Sequence, residues 1–327
     1  MRSNKKILDL FRVHFLAAFF IYLMASWAAT SEDIPDQYPQ SPLYKKPVEV
    51  IPGIFTAIGA TAPPTYENTG HNNNLSFIVT GAGVVVINSG ATDILAEAIH
   101  KEIKMITDEQ VVMVINENGQ GHAMLGNGYW IDQGVRVIAH VDAARQFEDY
   151  GYSILANMRR YNRDKAAYSR VELPNETFEN SFRFSLGSFE IEVLYLGPAH
   201  SPGDISIWLP KERLVIAGDI AFHERLLPIF PETIVSDWIE TWDNEFEPLD
   251  ATYVIPGHGH PTNMAQVRRY TREYLVHLRK VIGDLLESGG DLEDSYYVDQ
   301  SPFENLDTYE ELAKRNAGMV FEQMEFE

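Results

Sequence analysis

The sequence predicts a mixed α/β domain in which two β-sheets pack together with helices outside, and three observations predict it. Short apolar runs rich in Val and Ile, punctuated by Gly, come in groups, which is the pattern of strands. Longer stretches with apolar residues at helical spacing lie between those groups, so that each half of the chain ends in a helix. The chain has 327 residues and is 45% apolar and 12% aromatic. That is enough for one domain of roughly 250 residues with a substantial core.

The elements follow in order. Arg2, Lys5, Lys6 and Arg12 precede an apolar run from Phe15 to Ala25, and the small residues Ser26, Ala28 and Ala29 come next. This is the order of a secretory signal over residues 1–30. The run is shorter than the ~20 apolar residues of a membrane span. The expectation is therefore a periplasmic or secreted protein with no stable membrane insertion after cleavage, an uncleaved anchor being the alternative. Residues 31–47, with Pro35, Pro39, Pro42 and Pro47, read as an N-terminal arm. Val48–Ile58, Leu75–Thr80 and Val84–Ile87 read as strands. From Thr92 to Ile106, Ile94, Leu95, Ala98, Ile99 and Ile103 share one helical face, with Thr92 or Asp93 near the N-cap.

Val111–Ile115 and Val135–Ala139 are further strands, and residues 142–163 a helix. Phe182–Leu186, Phe189–Leu196, Ile205–Leu209 and Leu214–Ile216 read as strands, the last two joined by a turn at Pro210-Lys211-Glu212-Arg213. Ser236–Phe246 is a predicted helix, Thr252–Ile255 a strand and Asn263–Glu287 a long amphipathic helix. Residues 48–288 thus form one domain. Gly289, Gly290 and a mostly acidic stretch to Asp299 read as a linker to a final helix at about Thr308–Gln323, with Leu312, Ala313, Val320 and Met324 facing inward. That helix either folds over the body or joins a second subunit; its apolar face needs burial, which favours the body.

Charge and cysteine usage exclude several functions. Lys plus Arg is 26 against 47 for Asp plus Glu, a net charge of −21. Residues 1–30 carry +3, leaving −24 on the rest. So negative a surface repels phosphate backbones, so no nucleic-acid partner is expected, and a small-molecule substrate is. The absence of cysteine removes disulfides, thiolate metal ligands, a cysteine nucleophile and a lipid-anchored N-terminus.

Of ten histidines, His14 lies in the signal, and His100 and His277 sit within helices as structural or surface residues. His140 ends a strand, where a packed, hydrogen-bonded role is expected. His122, His200, His223, His258 and His260 lie in loops after strands, and His71 in a Gly/Asn-rich loop, where functional residues collect. Asp219 and Asp204 follow glycines and could cap turns, the role expected for Asp204.

Four segments stand out: Asn116-Glu117-Asn118-Gly119-Gln120-Gly121-His122-Ala123-Met124-Leu125-Gly126-Asn127; Gly197-Pro198-Ala199-His200-Ser201-Pro202-Gly203-Asp204; Ala217-Gly218-Asp219; and Pro256-Gly257-His258-Gly259-His260-Pro261. Their order and spacing, each after an apolar strand, resemble the metallo-β-lactamase superfamily. Val84–Gly90 matches that family's early strand and turn, and the resemblance runs from about residue 48 to 288. It implies a four-layer αββα sandwich with metal held at one edge between the sheets. The first loop departs from the family's His-x-His-x-Asp-His. Aligned through Asn116 and Gly126-Asn127, its four positions are Asn118, Gln120, His122 and Ala123.

Zinc takes imidazole, carboxylate or thiolate ligands at ~2.0–2.3 Å, and amide oxygens serve it poorly. The donors left by the resemblance are His122, His200, Asp219 and His258, enough for one ion, with zinc expected and Fe(II) an alternative. With three donors bound and water in the fourth place, Asp219 or Glu117 could accept the water's proton. Asn118, Gln120, His71, His260 and His223 are candidate pocket residues. The resemblance implies a hydrolase of ester, amide, lactam or thioester bonds. Its alternatives are a catalytically inactive binding protein on the same fold, and Fe(II)-dependent sulfur oxidation.

Overall fold

Alternation along single strands shows how the layers arise. In β4 (Val84–Ile87), Val84 and Val86 pack with the helix α1 (Asp93–Ile106) through Leu95, Ile99 and Ile103, while Val85 and Ile87 turn to the opposite face. Period-two residues with both faces covered are what a strand inside a layered fold requires. The computed structural model describes residues 41–327. The expected signal and the start of the arm lie outside the described residues.

Among the described residues, strands β1 (Val48–Ile51), β2 (Ile54–Ala57), β3 (Leu75–Val79), β4, β5 (Val111–Asn116), β6 (Arg136–His140) and β7 (Glu176–Phe178) form one sheet in that order. The second sheet runs β12-β11-β10-β9-β8, built from β8 (Phe182–Leu186), β9 (Phe189–Leu194), β10 (Ser206–Leu209), β11 (Leu214–Phe222) and β12 (Tyr253–His258). Between the sheets, Val85, Ile87, Ile115 and Ile138 meet Ile191, Val193, Ile207, Leu214 and Ile255. On the outer face of the second sheet, Val215, Ala217 and Val254 pack under Trp238, Trp242 and Leu278. The order helix, sheet, sheet, helix is the four-layer αββα sandwich expected.

Six predicted segments need correction. Val48–Ile58 is a hairpin of β1 and β2, because Gly53 turns the chain at φ +84°. β11 continues six residues beyond Ile216, through Asp219 to Phe222, and β12 runs on to His258. The pairing continues through an irregular stretch, with Gly218 opposite Pro256 and the register shifting on either side of it. The first loop contains two short helices, α2 (Gly121–Met124) and α3 (Asn127–Asp132). The predicted helix at 142–163 is α4 (Val141–Asn162), which ends where Arg163 takes φ +52°. In the acidic stretch read as a linker, Asp291 and Asp294 form a capping box on the short helix α7 given below.

The remaining helices cover the second sheet. α5 (Val235–Thr241) leads into a π turn at Trp242–Phe246. The long helix begins at Asn263 and passes through a π turn, Arg268–Arg272, into α6 (Glu273–Glu287). Thr271 in that turn is buried; its hydroxyl accepts from Phe222 N (2.9 Å) and donates to Phe222 O, fixing the end of β11. After α7 (Leu292–Ser295), the tail helix α8 (Tyr309–Met324) lies on this layer through Ala313, Ala317, Val320 and Phe321. Of the four tail residues expected inside, Ala313 and Val320 are buried and Leu312 and Met324 partly so. No helix among the described residues is long and apolar enough to cross a membrane.

Candidate metal centre

The site is built where β5, β11 and β12 end, at the same edge of both sheets. Glycine makes it possible. A Cβ on Gly218 (φ +62°) would come within 2.3 Å of Glu117 Oε2, and one on Gly257 within 2.2 Å of Asp219 Oδ1. Each acid therefore nests against bare backbone, which no other residue would allow. His122 comes from α2, whose position is set by Asn116: its side chain donates to Ala123 O (2.5 Å) and to Asn127 Oδ1 (3.0 Å). These two asparagines are the residues through which the first loop was aligned.

His122, Asp219 and His258 each offer a ligand atom, all within 4.8 Å of one another, and all three side chains are buried. Asp219 is the hub. Its Oδ2 lies 3.4 Å from His122 Nε2 and 3.5 Å from His200 Nδ1, and its Oδ1 lies 3.3 Å from His258 Nε2. Asn118 donates to Asp219 Oδ2 (3.2 Å), and Gln120 Nε2 lies 2.9 Å from His200 Nδ1. His200 thus touches the hub but stands outside the three-donor set, in the company of the two amides. Ala123 is buried and offers no donor. Glu117 Oε1 is 3.1 Å from His122 Nε2, and Asn88 Oδ1 accepts from Glu117 N at 3.0 Å. His258 Nδ1 meets Asn72 O, and Arg225 Nη1 lies 3.3 Å from the same nitrogen.

The electrostatics suit a cation. Burial pushes the Glu117 carboxyl up, with the Asp219 charge adding to it against the His122 hydrogen bond. For Asp219 the burial cost is outweighed by His122 and His258, which hold its carboxyl well below the usual range. Burial takes His200 and His258 down to about 4, so both stand neutral, the form that binds metal. For His122 burial acts the same way, but Asp219 and Glu117 outweigh it and raise its pKa. Two buried carboxylates share this space, and Asp219 Oδ1 and His200 Nε2 lack a well-formed hydrogen bond. Buried lone pairs left in that condition are costly unless a cation takes them.

Three candidate pocket residues stand elsewhere. His71 is buried and accepts from Tyr44 N at 2.9 Å, so burial spends its ring on the core. His260 pairs with Glu224 at 2.6 Å on the surface, and Lys45 Nζ reaches it there. His223 bonds His260 O at 2.8 Å and sits against Tyr270. The strand pairing of β11 with β12 turns these two away from the cavity, beyond Phe222 and His258. His140 and Asp204 have the structural roles expected: His140 caps α4, and Asp204 accepts from Ser201 N and Oγ.

A cavity of about 590 Å³ opens onto the cluster, lined there by Gln120, His122, His200, Asp219 and His258. Arg225, Asn72 and Phe230 also line it and escaped the sequence reading. An arginine directly before the apolar run Leu226-Leu227-Pro228-Ile229 was the available signal for Arg225.

Comparison with known proteins agrees with this fold. The profile of the metallo-beta-lactamase superfamily matches residues 124–258. The metallo-beta-lactamase type 2 of Elizabethkingia meningoseptica is 26% identical over 197 residues, 59% of this chain and 72% of that protein. The type 2 enzyme of Bacteroides fragilis is 23% identical over 222 residues, 64% of this chain and 78% of the relative. The chain is similar to the metallo-beta-lactamase superfamily over this stretch. A solved metallo-beta-lactamase from Pontibacter korlensis superposes with a TM-score of 0.58 at 17% identity, covering 70% of this chain and 98% of that one. The DIM-1 metallo-beta-lactamase gives 0.55 at 17% identity, covering 71% and 96%. The superfamily profile begins two residues after His122, so the altered first loop falls outside the matched stretch.

Proposed function

We propose that this chain is a hydrolase that uses one metal ion, zinc by the chemistry of its donors, held by His122, Asp219 and His258. The observation that carries the reading is the closure of two neutral-capable imidazoles and one carboxylate within 4.8 Å in a buried place that opens onto a cavity. Two nitrogens and one oxygen suit zinc and leave a coordination place open. When bound, the ion supplies Lewis acidity and brings the ionisation of water toward neutral pH.

The chain's own residues do the rest. Asn118 fixes the Asp219 carboxylate through Oδ2, and Asn72 O fixes the His258 ring through Nδ1. Glu117, with Oε1 3.1 Å from His122 Nε2, is the buried carboxylate nearest the donor set. It takes the proton that water gives up on attacking a substrate carbonyl of an ester, amide, lactam or thioester. His200, held by Gln120, is placed to hydrogen-bond the substrate through its free Nε2. The order of residues 1–30 supports export, and a periplasmic or secreted location belongs to this reading.

The test is elemental analysis of purified chain together with His258→Ala. About one zinc per chain is expected, with metal and turnover of chromogenic esters, thioesters and lactams both lost in the variant. Turnover surviving complete chelation would overturn the reading. A chain that takes up no metal yet binds a ligand in the cavity would favour a binding protein, since Asn118 and Gln120 already partner Asp219 Oδ2 and His200 Nδ1 without an ion.

A further inference from the structure

The cavity has two walls, and one of them is made by the tail. On one side α4 contributes Tyr150, Ile154, Met158 and Tyr161. On the other side α8 contributes Leu312 and Arg315, with Pro228 and Phe230 beside them. The tail helix also holds that second group in place. Asn316 is buried, accepting from Ile229 N (2.9 Å) and donating to Leu227 O (2.7 Å). Gln323 donates to Thr233 O (2.7 Å) and accepts from Val235 N (3.2 Å). Phe230 is thereby clamped between two fixed points.

Arg315 lies with its guanidinium 5.2 Å from the centre of the Phe230 ring. A second guanidinium, Arg225, is buried and lines the same cavity. Neither is in an ion pair among the described residues. That is unexpected in a chain of net charge −21, where carboxylates outnumber cations and are available everywhere. Besides Asp219, two acids line the cavity, but Glu232 accepts from Gln146 Nε2 (3.2 Å), and Glu311 stands exposed one turn before Arg315 without pairing with it. Stacking on an aromatic face leaves the edge donors of a guanidinium open to a planar anion.

We propose that the C-terminal helix is the specificity wall of this site: the substrate is an apolar or aromatic molecule carrying one anionic group, its apolar body lying between α4 and Leu312 and its anion on Arg315 where that stacks on Phe230. The inference rests on the cavity being the substrate site of the proposed hydrolase. It assigns selection to a helix outside the stretch that the superfamily profile matches.

Two fluorescent probes of nearly equal shape test it: 8-anilino-1-naphthalenesulfonate, which is anionic, and uncharged N-phenyl-1-naphthylamine. Both are titrated into the full chain after chelation, so that the readout is independent of turnover. Arg315 is exposed, so Arg315→Gln leaves the fold intact. It is expected to weaken the sulfonate about fivefold and the neutral probe less than twofold, the size of one partly screened charge contact. Leu312→Trp narrows the slot and is expected to weaken both probes. Equal effects of Arg315→Gln on the two probes, no effect on either, or indifference to Leu312→Trp would each overturn the proposal. Charge-selective binding by a chain that hydrolyses nothing would keep this inference and discard the hydrolase.

Discussion

Two halves of one buried cluster differ in what they need. On the His122 side, two acids and two imidazoles face one another, and Asp219 Oδ1 is left without a well-formed hydrogen bond. On the His200 side, the amide of Gln120 meets the imidazole, and that of Asn118 is spent on Asp219. An amide is a neutral partner that satisfies polar atoms without demanding a counter-charge, whereas facing carboxylates ask for a cation. Replacing two histidine positions by amides therefore does not leave a hole. It gives half of the candidate site a hydrogen-bonded frame beside the three-donor half.

The sharpest way to break this comparison is Glu117→Gln. It keeps the side chain's shape beside His122 but removes the proton acceptor, so turnover should fall roughly 10²- to 10⁴-fold. Metal content, measured by elemental analysis, should stay near that of the parent. Loss of metal in step with turnover would place Glu117 among the ligands instead. A milder change comes from the double substitution Asn118→His and Gln120→His, which gives the His200 side imidazoles where it now has amides. The metal-to-chain ratio should rise from about one toward two, because three nitrogen donors make a second zinc site. An unchanged ratio would mean that the frame, and not the missing donors, limits occupancy.

The smallest effect lies outside both halves, at His71. Its ring is fully buried and accepts from Tyr44 N, so it must stay neutral, and burial lowers its pKa from 6.5 to about 4. A base depressed in this way binds its proton in the unfolded chain first. Stability should therefore be whole above pH 6.5 and decline as pH falls toward 4, by roughly 1.4 kcal/mol per unit and about 3 kcal/mol in all. Urea midpoints for His71→Gln should show a shallower acid slope than the parent. Parallel slopes would show that His71 escapes to solvent before it titrates.

Most of the framework was legible because it depends on short-range chemistry. Runs such as Val84–Ile87 and Val111–Ile115 admit no other reading than strands, and Thr92 announces the helix after it. β7 (Glu176–Phe178) escaped notice because three residues at a sheet edge carry too little pattern. The donors His122, Asp219 and His258 were legible as a family-like set. That His200 would stand apart was not, since its separation depends on Gln120 reaching across from another loop. Arg225, Phe230 and the wall formed by Leu312 and Arg315 were hidden for the same reason: they meet the cavity only after residues far along the chain fold back over it. Sequence periodicity showed that the tail had a face to bury. It could not show that the edge of that face would look into a cavity.

The grip of Thr271 on Phe222 carries one last implication. A helix on the solvent side reaches through its own irregular turn to hold the strand that bears the central acid, so that heat or mutation loosening the outer layer is transmitted straight to the reactive end of the molecule. Efforts to harden this protein against temperature should begin at that clasp, far from anything a substrate touches.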